Sequence, residues 1–166
     1  MSCRKQVAPQ WEDSGVNISA KSDYAVRALL ELAARAPNLV KIDVIVAEQR
    51  MPRKFVEAIL SDLRRGGIVR SQRGADGGYG LARPANQITL GAIIRAVDGP
   101  LAEVRGLRPH EMEYRGLATH LPEVWVAVRA SLRRVLDETT LQQVLTGALP
   151  AGVRRMINSD DAWLPR

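Results

Sequence analysis

Residues 50–83 read RMPRKFVEAILSDLRRGGIVRSQRGADGGYGLAR, and the fold is decided within them. Pro52 has no N–H to leave orphaned in a first helical turn, and its φ is already helical. It therefore predicts the opening of a helix that runs to Arg65 and ends at Gly66 and Gly67. Phe55, Ile59 and Leu63 fall at i, i+4 and i+8, with Val56 and Leu60 beside them, which predicts one buried side. Arg53, Lys54, Glu57, Ser61 and Arg64 fall on the other side. After the glycines come two short extended runs, Ile68 to Gln72 and Tyr79 to Ala82, separated by Arg73-Gly74-Ala75-Asp76-Gly77-Gly78. Asp-Gly-Gly tolerates positive φ, so the pattern predicts a β-hairpin, one too short to stand without the preceding helices.

On the N-terminal side, Tyr24, Ala25, Ala28, Leu29 and Leu32 recur at helical spacing between Ser19, a natural N-cap, and Pro37, predicting a core helix from about Ala20 to Ala36. Ile42, Ile45 and Val46 share one face of a short helix, Ile42 to Gln49, and Met51-Pro52 forces the turn into the next. Two short helices joined by a tight turn, the second with a basic outer face and a hairpin behind it, make a winged helix-turn-helix. Pro84 and Asn86 close the wing, and Thr89 caps a further helix from Leu90 to Val97 that Asp98, Gly99 and Pro100 end. The expected fold is mainly α with a small β-hairpin wing.

This organisation divides the chain into a flexible extension (1–17), a DNA-binding domain (18–100), a connector and possible sensor region (101–120), a dimerisation helix with a short terminal helix (121–147), and a weakly ordered tail (148–166). In the dimerisation helix Leu121, Trp125, Val128, Leu132 and Val135 repeat in steps of four and three, a heptad seam that a second copy can bury about a twofold axis. The alternative is packing of that stripe on its own winged helix. Trp163 is a candidate anchor for the tail.

The 166 residues are 46% hydrophobic and carry 24 Lys and Arg against 18 Asp and Glu, a net charge of +6 that favours polyanionic partners. The charge is concentrated: Arg50, Arg53, Lys54, Arg64, Arg65, Arg70 and Arg73 lie close together, opposed only by Glu57 and Asp62. Neither a secretory leader nor a membrane span is legible, so a cytoplasmic protein is expected. An enzyme finds no support, because both His lie in the connector and no carboxylate pair accompanies a nucleophile. A winged helix used as a protein-interaction module, with weak or non-specific DNA binding, is the alternative from another class. The basic outer face argues against it.

Ile18-Ser19-Ala20-Lys21-Ser22-Asp23-Tyr24-Ala25, the turn Met51-Pro52 before Phe55-Val56, the wing Arg73 to Tyr79, and Leu81-Ala82-Arg83-Pro84 followed by Ile88-Thr89-Leu90 together resemble the Rrf2 family of bacterial regulators. The resemblance covers residues 18 to 100 closely and the helix near 121–137 more loosely. It implies a dimeric winged-helix regulator of transcription, usually a repressor. Cluster-binding members carry three cysteines in the region corresponding to Asp98–His120, where this chain has none; its single cysteine is Cys3. A cysteine-ligated iron–sulfur cluster is therefore not expected, and no cofactor is. His110, Glu111, Glu113 and His120 are read as solvated loop residues and not as ligands. Cys3 is read as a free thiol.

In this geometry the early turns of the recognition helix enter the major groove, which makes Arg53, Lys54, Glu57 and Ser61 the candidates for base edges. Glu57 can accept from a cytosine amino group or hold Arg53 or Lys54 through a helical pair. Arg73 at the wing tip suits the minor groove, and Arg64, Arg70, Ser71, Gln72 and Tyr79 suit phosphates. Operator DNA, a second copy, and a small-molecule or protein effector at the connector are the expected partners. No metal and no membrane contact is expected.

Overall fold

Helix α1 (Ala20–Ala34) starts where the Ser19 hydroxyl accepts a hydrogen bond from the Ser22 N–H at 2.9 Å, the capping that the sequence predicts. The computed structural model describes residues 18–164. The expectations for residues 1–17, including Cys3, lie outside these residues. After α1 come α2 (Ile42–Gln49), α3 (Arg53–Arg65), β1 (Val69–Gln72), β2 (Gly78–Leu81), α4 (Leu90–Val97), α5 (Leu121–Glu138), α6 (Leu141–Thr146) and α7 (Ala151–Ile157). The connector between α4 and α5 contains only short 3-10 turns, at Pro109–Glu111 and Gly116–Ala118.

The core is one cluster built around α1. Ala25, Ala28, Leu29 and Leu32 of α1 meet Val56, Ile59, Leu60 and Leu63 of α3, with Ile45 of α2 and Ile93 and Val97 of α4 closing the sides. Small residues at positions 25 and 28 let the other helices approach α1 closely. Each large buried side chain stabilises the fold by about 2 kcal/mol. Phe55, expected on the buried side of α3, is instead 50% exposed and meets the Tyr24 ring edge-on, with centroids 6.1 Å apart. The buried arc is centred on Val56, Ile59, Leu60 and Leu63, and Phe55 falls just outside it.

β1 and β2 pair antiparallel with Ser71 opposite Tyr79. β1 starts one residue later than expected because the Ile68 N–H donates to Leu63 O at 2.9 Å and closes α3 instead. The hairpin is pinned to the segment before α2 by reciprocal bonds, Val40 N–H to Tyr79 O at 2.8 Å and Tyr79 N–H to Val40 O at 2.9 Å. A Cβ at Gly78 would stand 2.7 Å from Val40 O, so the close approach requires glycine there.

α5 is followed directly by α6, whose start docks on α4: Leu90 N–H donates to Thr139 O at 2.9 Å and Leu141 N–H to Ile88 O at 2.8 Å. Asp137 on α5 accepts from Arg95 of α4 at 2.7 Å and lies directly over Gly91. The expected disorder of the tail is corrected over residues 151–157, which form α7. Pro150 opens it, and Arg154 bonds back to Gly147 O at 2.7 Å. Trp163 does not anchor the tail, being 77% exposed with its Nε1 donating to Ile157 O.

Ion pairs fasten separate helices, two of them through carboxylates that are partly buried. Lys21 of α1 meets Asp62 of α3 at 2.8 Å, and Arg95 of α4 meets Asp137 of α5. The Asp62 carboxyl is held below the usual range chiefly by the hydrogen bond from Lys21, against the opposing pull of burial, with Arg65 adding to it. Arg95, and then Arg133, do the same for Asp137. A carboxylate whose folded pKa is depressed adds stability above its unfolded value, about 4, and that stability is lost as pH falls through the folded value. The thermal midpoint is therefore expected to fall below about pH 4. An Asp62→Asn, Asp137→Asn double variant is expected to have a lower midpoint at neutral pH and a shallower acid slope. Calorimetry across that window checks this, and an unchanged slope would contradict it.

Candidate nucleic-acid interface

The recognition helix is positioned from its own N-terminal end. Arg50, with φ +50°, turns the chain out of α2, and Met51 is buried in the bend. Arg27 of α1 lies over the Tyr24 ring, 5.4 Å from its centroid, and donates to both the Gln49 side chain and its carbonyl. That grip satisfies a C-terminal carbonyl of α2 and fixes the turn between the two helices.

Arg53, at the first turn of α3, sits between two carboxylates. Its Nε donates to Glu57 Oε1 at 2.9 Å, and its Nη1 to Asp43 of α2. The guanidinium is held more firmly protonated by its hydrogen bond to Asp43 first and then by that to Glu57. Glu57 thus takes the helical pairing role considered in the sequence. Asp43 was missed, because no spacing along the chain reveals a partner on a neighbouring helix. Lys54 and Ser61 are exposed on the same helix.

An open cleft of about 590 Å³ separates the start of α2 from the wing, and its walls include Lys41, Asp43, Arg64, Ser71, Gln72 and Arg73. Arg64 reaches Ser71 at 3.4 Å, joining the end of α3 to β1. Tyr79 lines the cleft as well. Arg70 is not part of this group; its guanidinium bonds Leu81 O and Pro37 O instead. Lys41, the N-cap of α2, makes no side-chain cap, and Lys41, Ile42 and Asp43 at the start of that helix line the cleft. Cations, amide donors and hydroxyls thus share one concave surface. This is the arrangement of a winged-helix DNA-binding protein.

The expected seam on α5 divides. Trp125, Val128 and Leu132 line a cavity within the chain, opposite Ile94 and Leu101, while Leu121 and Val135 are half-buried. Val124, Val126 and Val128 expose apolar surface, Val124 to 52%.

A profile of the Rrf2 family, described as iron-dependent transcriptional regulators, matches residues 18–147, and the chain belongs to this family. A Mycobacterium tuberculosis protein designated a candidate HTH-type transcriptional regulator is 46% identical over 142 residues, 85% of this chain and 88% of that one. Among solved structures, CymR, the global cysteine regulator of B. subtilis, aligns with TM-score 0.68 and 31% identity, covering 80% of this chain and 98% of that one. IscR of T. potens aligns with TM-score 0.65 and 29% identity, covering 92% and 94%. Kinship places the chain among DNA-binding transcriptional regulators and not enzymes.

The family's description as iron-dependent raises the question of a metal centre. The connector has no cysteine, and thiolates are the ligands of iron–sulfur clusters. Its two histidines diverge: His110 lies 3.4 Å from Arg129, and His120 lies 3.2 Å from Glu123. Among the described residues no three His, Cys, Asp or Glu side chains converge as a metal site requires. This donor set does not fit a cysteine-ligated cluster.

Removing the Asp43 charge while keeping its shape releases Arg53 from one clamp and takes a negative charge from the cleft that the expected docking would turn toward phosphates. Asp43→Asn is expected to strengthen binding to unrelated duplex DNA about two- to fivefold at low salt. Fluorescence titration checks it, and unchanged or weaker binding would count against this placement of the DNA.

Proposed function

We propose that this protein represses transcription in the cytoplasm, binding a near-palindromic operator as a homodimer. The observation that carries the proposal is the cleft formed by the start of α2, Arg64 at the end of α3 and the wing, together with the exposed polar face of α3. With α3 in the major groove, Arg53, Lys54, Glu57 and Ser61 meet base edges. Arg53 is the candidate for guanine, and Glu57 both orients it and offers an acceptor to a cytosine amino group. Arg64, Ser71, Gln72 and Tyr79, with Lys41 and the first amides of α2, meet phosphates and set the register. Arg70 reaches a phosphate from the outer side of the wing, and Arg73 enters the minor groove.

Dimerisation uses the open side of α5. A twofold partner laid along Val124, Val128 and Val135, with Leu121 at the helix start, buries valine against valine and places two α3 helices for successive major grooves. Trp125 and Leu132 support this face from the cavity side. The exposure of Val124 and Val128 supports the pairing, because an uncovered apolar stripe on a soluble regulator marks an interaction surface. An effector acting at the connector, residues 101–120, changes the angle between the two reading heads.

Selection of genomic fragments by the purified protein is expected to return one near-palindromic sequence. Arg53→Ala is expected to lose about 1–3 kcal/mol of discrimination at one base pair per half-site. Arg73→Ala is expected to weaken all sequences and to reduce the salt slope by about one. Val128→Arg is expected to sediment as a folded monomer with operator affinity lowered at least about 100-fold. Sequence-blind binding by the wild type, or a dimer in Val128→Arg, would contradict the respective halves of the proposal.

A further inference from the structure

A cavity of about 610 Å³ lies where the start of α1, the end of α4, the connector and α5 meet. Its wall is largely apolar, formed by residues that include Ile94, Leu101, Val104, Pro109, Leu132 and Leu136. That is the size and character of a small-molecule site. The charged residues in the wall are Asp98 and Glu103, both acidic, so an anion entering it meets like charge and no compensating cation. Trp125 also lines the cavity, and its indole Nε1 is shielded from water with no acceptor among the described residues. A buried donor without a partner is costly, and a small turn of the ring into the free space lets an acceptor in the cavity satisfy it.

The same wall is mechanically joined to the recognition helix. The hydroxyls of Ser19 and Ser22 both donate to Asp98, Ser22 at 2.6 Å, and all three residues border the cavity. Between the two serines, Lys21 spans both helices, donating to Val97 O at the end of α4 and pairing with Asp62 of α3 at 2.8 Å. One turn of α1 therefore holds the end of α4 with three side chains, two of them at the cavity, and α3 with the third. Gly99, at φ +90°, follows Asp98 as the point where the connector turns away.

We propose that this cavity binds an uncharged, largely apolar small molecule that presents a hydrogen-bond acceptor to Trp125, and that its occupancy is relayed to α3 through Asp98, Lys21 and Asp62. The inference rests on the reading of the protein as a DNA-binding regulator and names the chemistry of its effector. The ligand enlarges the separation of the connector from the end of α4. The first turn of α1 follows Asp98, and Lys21 carries the displacement to Asp62, beside the base-facing Ser61. By linkage, DNA binding changes ligand affinity by the same factor.

The test uses the full chain and two probes of equal shape, 2-acetonaphthone, which is neutral with one carbonyl acceptor, and 2-naphthoate, which is anionic. Proton–nitrogen spectra follow the indole N–H resonances, with Trp125→Phe supplying the assignment. 2-Acetonaphthone is expected to move the Trp125 resonance downfield saturably, and 2-naphthoate to bind at least about tenfold more weakly. Ala102→Phe, which fills the cavity, is expected to abolish the shift. On a fragment selected by the wild type, 2-acetonaphthone is expected to change DNA affinity about fivefold. Asp62→Asn is expected to keep the Trp125 shift and lose that response.

The ligand site is overturned by an unmoved Trp125 resonance, by equal response to both probes, or by a probe that splits the protein into monomers, since the cavity would then belong to the second copy. The relay is overturned if Asp62→Asn responds as the wild type does. Selective DNA binding without probe binding removes this proposal and leaves the regulator reading standing. Probe binding by a protein that selects no fragment removes the regulator reading, and the relay with it.

Discussion

The packing of α3 against α1 is the constraint on which the rest depends. A helix that reads DNA has to be held at a fixed angle while leaving its polar face exposed. α3 solves this with four buried residues, Val56, Ile59, Leu60 and Leu63, set on Ala25, Ala28, Leu29 and Leu32. Enlarging Ala25 or Ala28 forces α3 outward, and truncating Leu63 leaves a void costing about 2–5 kcal/mol. Everything beyond that contact adjusts the orientation. Arg27 fixes the end of α2, Lys21 fixes the side of α3, and the Val40–Tyr79 bonds fix the wing.

The electrostatics follow from this scaffold. In the proposed reading, basic residues along α3 and the wing would supply general attraction to DNA, and the Asp43–Arg53–Glu57 group would supply selectivity. A guanidinium held by two carboxylates loses less freedom on meeting a base than a free one, and the carboxylates repel DNA wherever the base contact is wrong. Family kinship and chain chemistry differ in one respect. The profile is described as iron-dependent, but the connector of this chain has no cysteine to ligate a cluster, and the ligand proposed for that region is of a different kind.

The sequence made α2 and α4 legible to the residue, because local signals such as the Thr89 cap and the Met51-Pro52 turn coincide with the ends that packing dictates. The hairpin was legible for the same reason. Phe55 was misplaced because helical periodicity gives the direction of the buried arc but not its width, which depends on where α1 ends. α7 was missed because Gly152 and two arginines hide its pattern, and its start depends on Pro150 and the Arg154 bonds to preceding carbonyls. On α5 the stripe was legible, but not its division between an intrachain cavity and an open valine face. In the site, Arg64, Ser71, Gln72, Arg73 and Tyr79 line one cleft. Lys41 and Asp43 come to it only through the turn between α1 and α2, and Arg70 is drawn away by its bonds to Leu81 O and Pro37 O, which no spacing along the chain reveals.

Hydroxyl-radical footprinting of the wild-type protein on a selected genomic fragment tests the central claim most directly. The account predicts two protected tracts related by a twofold axis, centred about one helical turn or a whole multiple of it apart, each flanked by minor-groove protection from Arg73. A single protected tract, or uniform protection without a twofold axis, would contradict it.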